Sequence, residues 1–174
     1  MKSFQSLSAT LALAISFAAC NNSPSTETAA KADSTAAVST VNALEENNQK
    51  LEANKTVVRN FTQSLYGDKD STAIEKYVAD DVKQHNPLLQ DGKAWLKTTL
   101  GVLLKNPNVE KTKIDIKQIV AEGDQVFVLI REVAPNGKVF ARAEIFRIQN
   151  GKIVENWLVY EQEPKKSANK NSMF

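Results

Sequence analysis

The sequence predicts an α+β fold, with three N-terminal helices packed on a strongly curved antiparallel sheet and an internal pocket between the two layers. Three observations predict it. Apolar residues recur with helical spacing up to about residue 105. From residue 112 the chain becomes rich in β-branched residues. Pro135-Asn136-Gly137 and Asn150-Gly151 then mark tight hairpins. Helices followed by strands argue that the helices cover one sheet face. So small a sheet must bend around them, which leaves a hollow suited to a small molecule.

The elements follow in chain order. Leu44, Leu51, Val58 and Leu65 recur every seven residues, with Val57 and Phe61 beside them, which is one helical stripe. The compact domain is expected to begin near Asn54, a candidate cap, with Leu44–Ala53 as a helical extension. Gly67 ends this helix. Thr72 and Glu75 have capping-box spacing for a second helix over Ala73–Ala79. Asp91-Gly92 opens a third over Lys93–Lys105, with Trp95, Leu96, Leu100, Leu103 and Leu104 on its apolar face, and Asn106-Pro107 stops it. Strands are predicted over Thr112–Ala121, Gln125–Val133, Val139–Ile148 and Ile153–Glu161.

Ahead of these elements the chain reads as an address. Lys2 precedes a short apolar run, Leu11–Ala19, of signal-peptide size and too short to span a bilayer. It ends on Phe17-Ala18-Ala19-Cys20, which resembles the lipobox of bacterial lipoproteins, with Phe17 in place of the usual Leu. That resemblance implies a signal peptide over 1–19, a lipid on Cys20, and an envelope location on the periplasmic or outer face of a membrane. Asn21–Thr40 is poor in large apolar residues, so residues 20–53 are expected to form a flexible tether with a helical extension. About 25 such residues would reach on the order of 25–30 Å. Residues 163–174 read as a polar tail, frayed over Lys165–Lys170.

Composition narrows the chemistry. The 174 residues carry 22 Lys and Arg against 20 Asp and Glu, so a nucleic-acid partner is not expected. One cysteine and one histidine exclude zinc sites built from several such ligands and any intrachain disulfide.

Three strings resemble one family. Gln84-His85-Asn86-Pro87 followed by Asp91-Gly92 resembles the QHNP…DG element of SnoaL-like, polyketide-cyclase-related proteins of the nuclear transport factor two (cystatin-like cone) fold. Val120 to Asp124, with Val126 and Val128, resembles the VxxGDxVxV hairpin. Glu144-Ile145-Phe146-Arg147 with Asn150 to Glu155 resembles DxFR…NGKIxE. The resemblance covers residues 54–162 and implies a cone with an internal pocket. It also implies a small-molecule ligand or substrate, and pairing of two copies through the sheet. Family enzymes are described as acid–base catalysts without metal or cofactor, so no metal and no cofactor are expected. Carried over, the resemblance offers His85 and Glu144 as an acid–base couple. The family's last-strand EHWD string reads Glu155-Asn156-Trp157-Leu158 here. Asn156 does not titrate near neutral pH and Leu158 has no acid–base chemistry, so that pair is lost.

Two hairpin registers are open. A two-residue turn at Asn150-Gly151 sets Glu144 opposite Trp157, whereas a Gly151 bulge sets it opposite Asn156. The resemblance favours the second, which puts Phe140, Arg142, Glu144, Phe146, Val154, Asn156, Leu158 and Tyr160 on one surface lining the pocket. Arg142 would hold Glu144 ionised or bind an acidic ligand. Two functions remain. One is a cyclase- or isomerase-like enzyme using His85 and Glu144. The other is a non-catalytic binding module for an apolar or weakly acidic molecule, or for an envelope partner.

Overall fold

The computed structural model describes residues 26–104 and 110–174. The signal peptide expected over 1–19, the lipid expected on Cys20 and the helix stop expected at Asn106-Pro107 lie outside the described residues. The compact unit that carries the helices and the sheet runs Val41–Phe174, and Met1–Thr40 falls in a separate unit.

Helix α1 spans Thr26–Thr62 without interruption. Of the flexible tether expected over 20–53, residues 20–25 lie outside the described residues and residues 26–53 are helical. The segment is polar but alanine-rich, and alanine is the strongest helix former, so poverty in large apolar residues there does not imply coil. The Ser39 and Thr40 hydroxyls donate to the Ala36 carbonyl at 2.8 and 2.9 Å and add no competing turn. Burial along the seven-residue stripe begins only at Leu51, with Leu44 exposed and Val58 fully buried. Asn54 is not a cap. It is buried inside the helix and its Nδ2 donates to the Gly123 carbonyl at 3.3 Å, tying α1 to a hairpin turn.

The helix widens into a π-helical turn over Gln63–Gly67. Gly67 sits where a Cβ would meet the Thr112 carbonyl at 2.6 Å, and Thr112 donates its N–H to the Gly67 carbonyl at 3.0 Å. Only glycine permits that approach. Helix α2 spans Thr72–Tyr77. The expected capping box is absent: Asp70 accepts both the Thr72 N–H and hydroxyl, while Glu75 pairs with Lys93 and Lys97 on α3, Lys93–Leu104.

Among the described residues five strands form one sheet, where four were expected. They are β1 Val78–Gln84, β2 Asp115–Glu122, β3 Gln125–Val133, β4 Val139–Gln149 and β5 Lys152–Gln162, in the order β1-β5-β4-β3-β2. The sheet is mixed rather than antiparallel, because β1 runs parallel to β5. Register shifts interrupt both edge pairings, between Val78 and Lys83 on β1 and between Ile116 and Gln118 on β2.

Neither proposed β4–β5 register is observed. Asn150 and Gly151 have φ of 50° and 71° and form a two-residue turn that pairs Gln149 with Lys152. A bulge then makes Val154 the extra residue, so Arg147 pairs with Glu155, Phe146 with Asn156 and Glu144 with Leu158. The bulge restores the parity that a Gly151 bulge would have given. Phe140, Arg142, Glu144 and Phe146 therefore share a face with Asn156, Leu158 and Tyr160.

That face is the one the helices cover. Phe146, Ile148, Val126 and Val128 are buried there together with Val58, Phe61, Leu65 and Ile74. The Phe61 ring meets Phe146, Tyr66 and Tyr77 edge-on at 6.0–6.3 Å. Lys165–Lys170 of the tail are exposed. Met173 and Phe174 are half-buried, and the Phe174 ring lies 5.9 Å from the Arg131 guanidinium.

Candidate functional site

Two polar clusters occupy opposite faces of the sheet, and the sequence-predicted residues divide between them. On the helix-covered face, Glu144 is 2 % exposed. Its Oε2 accepts from Asn156 Nδ2 at 3.0 Å. Its Oε1 lies 2.6 Å from Arg142 Nε, an ion pair in which neither atom has the alignment of a hydrogen bond. The guanidinium lies over the Tyr66 ring, 4.0 Å from its centre, and reaches Glu132 at 3.5 Å. Glu132 in turn accepts from the Tyr160 hydroxyl at 2.8 Å, and Tyr160 stacks on Phe140 at 4.6 Å.

Burial works against the Arg142 charge, but Glu144, Tyr66 and Glu132 beside it outweigh that and hold it above its usual range. Arg142 is thus firmly cationic. Burial pushes the Tyr66 phenol up, against the pull of Arg142. Burial, then the bond to Glu132, does the same to Tyr160.

His85 is elsewhere. Its N–H donates to the Asn156 carbonyl at 2.8 Å, which fixes the backbone of the β1 end against β5. The imidazole then stacks on Trp157, 4.4 Å away and tilted by 2°, and its Nε2 bonds Glu155 Oε1 at 2.8 Å. Glu155 and Trp157 flank Asn156 on β5 and so project from the other face. His85 and Glu144 are therefore separated by the sheet and do not form the expected acid–base couple. His85 belongs to a chain of contacts instead. Glu155 Oε2 accepts from Arg147 Nε at 2.8 Å, and Arg147 Nη1 reaches Asp124 at 3.1 and 3.2 Å. The bond from His85, then that from Arg147, holds the Glu155 carboxyl below its usual range. Ile145 and Val159 are exposed on this same helix-free face, where a sheet-mediated pairing was expected.

The hollow is also not where sequence reasoning put it. Beside Glu144 and Asn156 the layers nearly close, leaving about 20 Å³ among Phe146, Gln84, Tyr66 and their neighbours. That is room for roughly one water. Gln84 Oε1 is buried there without a partner among the described residues. A cavity of about 820 Å³ opens on the other side of the Tyr66–Arg142 pair. Thr62, Tyr66 and Lys69 from the end of α1 and the π turn line one wall. Leu104 at the end of α3, Glu110 and Thr112 to Asp115 leading into β2, Ile130 to Pro135 on and after β3, and Arg142 line the rest. Of the predicted pocket residues only Arg142 reaches it. Glu144, Phe146 and Asn156 line the small space, and Phe140, Leu158 and Tyr160 line neither.

Sequence reasoning missed Tyr66, Lys69 and Glu132. Lys69 carried the one readable signal, its place just past the helix-ending Gly67. There it adopts φ +60°, a strained backbone for a side-chain-bearing residue, and its Nζ donates to the Tyr66 carbonyl at 2.6 Å. No group of three or more potential metal ligands occurs among the described residues. No described helix is long and apolar enough to cross a membrane.

The comparisons agree with this geometry at the level of fold. An NTF2-like protein of unknown function from Burkholderia xenovorans superposes with a TM-score of 0.54 at 16% identity, covering 67% of this chain and 89% of that one. A protein designated a polyketide cyclase, from Acidithiobacillus ferrooxidans, gives 0.50 at 17% identity, covering 62% and 87%. An LEH-like epoxide hydrolase from M. tuberculosis gives 0.51 at 15% identity, covering 64% and 85%. No curated protein matches the sequence. The family model described as a SnoaL-like domain matches residues 58–156, more than half of the chain. With its helices on one face of a five-stranded mixed sheet, the chain belongs to the SnoaL-like family and has its NTF2-like cone fold.

Proposed function

We propose that this domain is a non-catalytic binder of a small apolar or carbonyl-containing molecule, held in the bacterial cell envelope by lipid on Cys20. The observation that carries the binding reading is the 820 Å³ cavity, whose lining includes Arg142 but neither His85 nor Glu144. Its volume is that of a small-molecule site, and its lining sets apolar side chains such as Ile114, Ile130 and Val133 beside charged ones. An acid–base mechanism of the cyclase or isomerase kind would need a titrating pair facing the guest. Here the imidazole is engaged with Trp157 and Glu155 on the far side of the sheet, and the Glu144 carboxylate is engaged by Arg142 and Asn156.

His85→Ala should therefore leave ligand binding intact. The expected result is an unchanged thermal shift on adding ligand, beside a small loss of intrinsic stability, ~0.2–1 kcal/mol, for an exposed ion pair. Loss of the ligand-induced shift in this variant would return His85 to the site.

The anchoring reading rests on the lipobox-like end of the apolar run at Cys20. Cys20→Ser is expected to abolish incorporation of labelled palmitate and to move the protein out of the membrane fraction. Unchanged labelling would sink the lipid reading.

A further inference from the structure

Resting on the binding reading above, we infer that the guest is an amphipathic monoanion whose acidic head meets Lys69 while its apolar body lies on Ile114, Ile130, Val133 and Pro135. Four basic and three acidic side chains line the cavity, but they are not equally engaged. Arg142 is shared between Glu144 and Glu132, and Glu132 also holds Tyr160. Asp115 pairs with Lys117. The remaining acid is Glu110, at the exposed start of this wall. Lys69, Lys113 and Arg131 have no carboxylate within ion-pair distance among the described residues, and Arg131 lies near Phe174. The described lining thus carries an excess of unpaired positive charge.

Of the three cations without a carboxylate partner, Lys69 is the one positioned by the π turn and the backbone after it. The π turn and the positive φ that follows it bring the amine back over Tyr66, where its bond is to a neutral carbonyl. Burial lowers the affinity of this amine for its proton, with Glu132 opposing, which means the charge is incompletely solvated there. An ammonium short of acceptors, on a wall shared with apolar side chains, fits one carboxylate or phenolate on an apolar frame.

The test uses three probes of equal length: decanoate, decan-1-ol and decylammonium, each titrated calorimetrically into the mature protein below its aggregation concentration. Decanoate is expected to bind most tightly, and decylammonium not at all. Lys69→Asn removes the charge while tolerating the left-handed backbone. It should weaken decanoate about tenfold or more and leave decan-1-ol unchanged. Lys69→Arg should restore most of the decanoate affinity. Equal binding of decanoate and decan-1-ol, or equal loss of both in Lys69→Asn, overturns the anion assignment and leaves the cavity as a binding site. Absence of binding by all three probes overturns the binding reading as well.

Discussion

Arg142→Met is expected to destabilise the protein by about 3–5 kcal/mol, the range found when one member of a buried ion pair is removed. The substitution nearly preserves side-chain volume, so the loss is electrostatic. It strands the Glu144 carboxylate, 2 % exposed, with Asn156 Nδ2 as its remaining donor close by. It also takes the cation from the Tyr66 ring and from Glu132. The double variant Arg142→Met/Glu144→Leu should be more stable than Arg142→Met alone, since it removes the stranded charge together with its partner. Urea unfolding of wild type and both variants checks this. A deficit in Arg142→Met below about 1 kcal/mol would show that the pair contributes little.

Phe146→Ala is expected to cost about 3–5 kcal/mol as well, for a different reason. Phe146 is among the largest fully buried side chains and lies edge-on to Phe61 at 6.0 Å. It also borders the 20 Å³ space beside Glu144 and Asn156. Truncation would enlarge that space next to a carboxylate, an amide and the unpartnered Gln84 oxygen, so the new volume should fill with water rather than stay dry. Chemical denaturation gives the magnitude, and a high-resolution structure of the variant would reveal the added waters. A loss under about 1.5 kcal/mol would mean that the layers collapse to fill the gap.

The hairpin-rich half of the fold was legible because its signals are local. Alternating apolar residues and the Asn150-Gly151 and Pro135-Asn136-Gly137 turns set β3, β4 and β5 to within about a residue of their observed ends. β1 was not legible. Val78–Gln84 (VADDVKQ) carries three charges in seven residues, and its pairing partner lies some seventy residues on, at Ile153–Asn156. No periodicity in one segment announces a parallel partner so far away. The fate of His85 depended on it, since the Gln84–Asn156 pairing decides on which side of the sheet the next residue falls. The shared face of Glu144 and Asn156 was anticipated, although through a bulge at Gly151 rather than at Val154.

The strings that suggested the family have a physical explanation in the same network. Asp124 comes from the first hairpin string, Arg147 and Glu155 from the second, and His85 from the QHNP element. The four meet on the helix-free face as one run of ion pairs and hydrogen bonds. On this reading the strings mark how β1, β3, β4 and β5 are clamped together, and the residues that meet a guest lie outside them.

The broken registers at the two margins of the sheet carry one further consequence. A straight, regular outer strand offers its unused amides and carbonyls to any similar strand and so invites stacking between molecules. Here the β1 ladder is interrupted between Val78 and Lys83 across Asp80 and Asp81, and the β2 ladder is interrupted at Lys117. Each irregularity bends the margin and sets charge on it, so the sheet resists extension at either end and stays five strands wide.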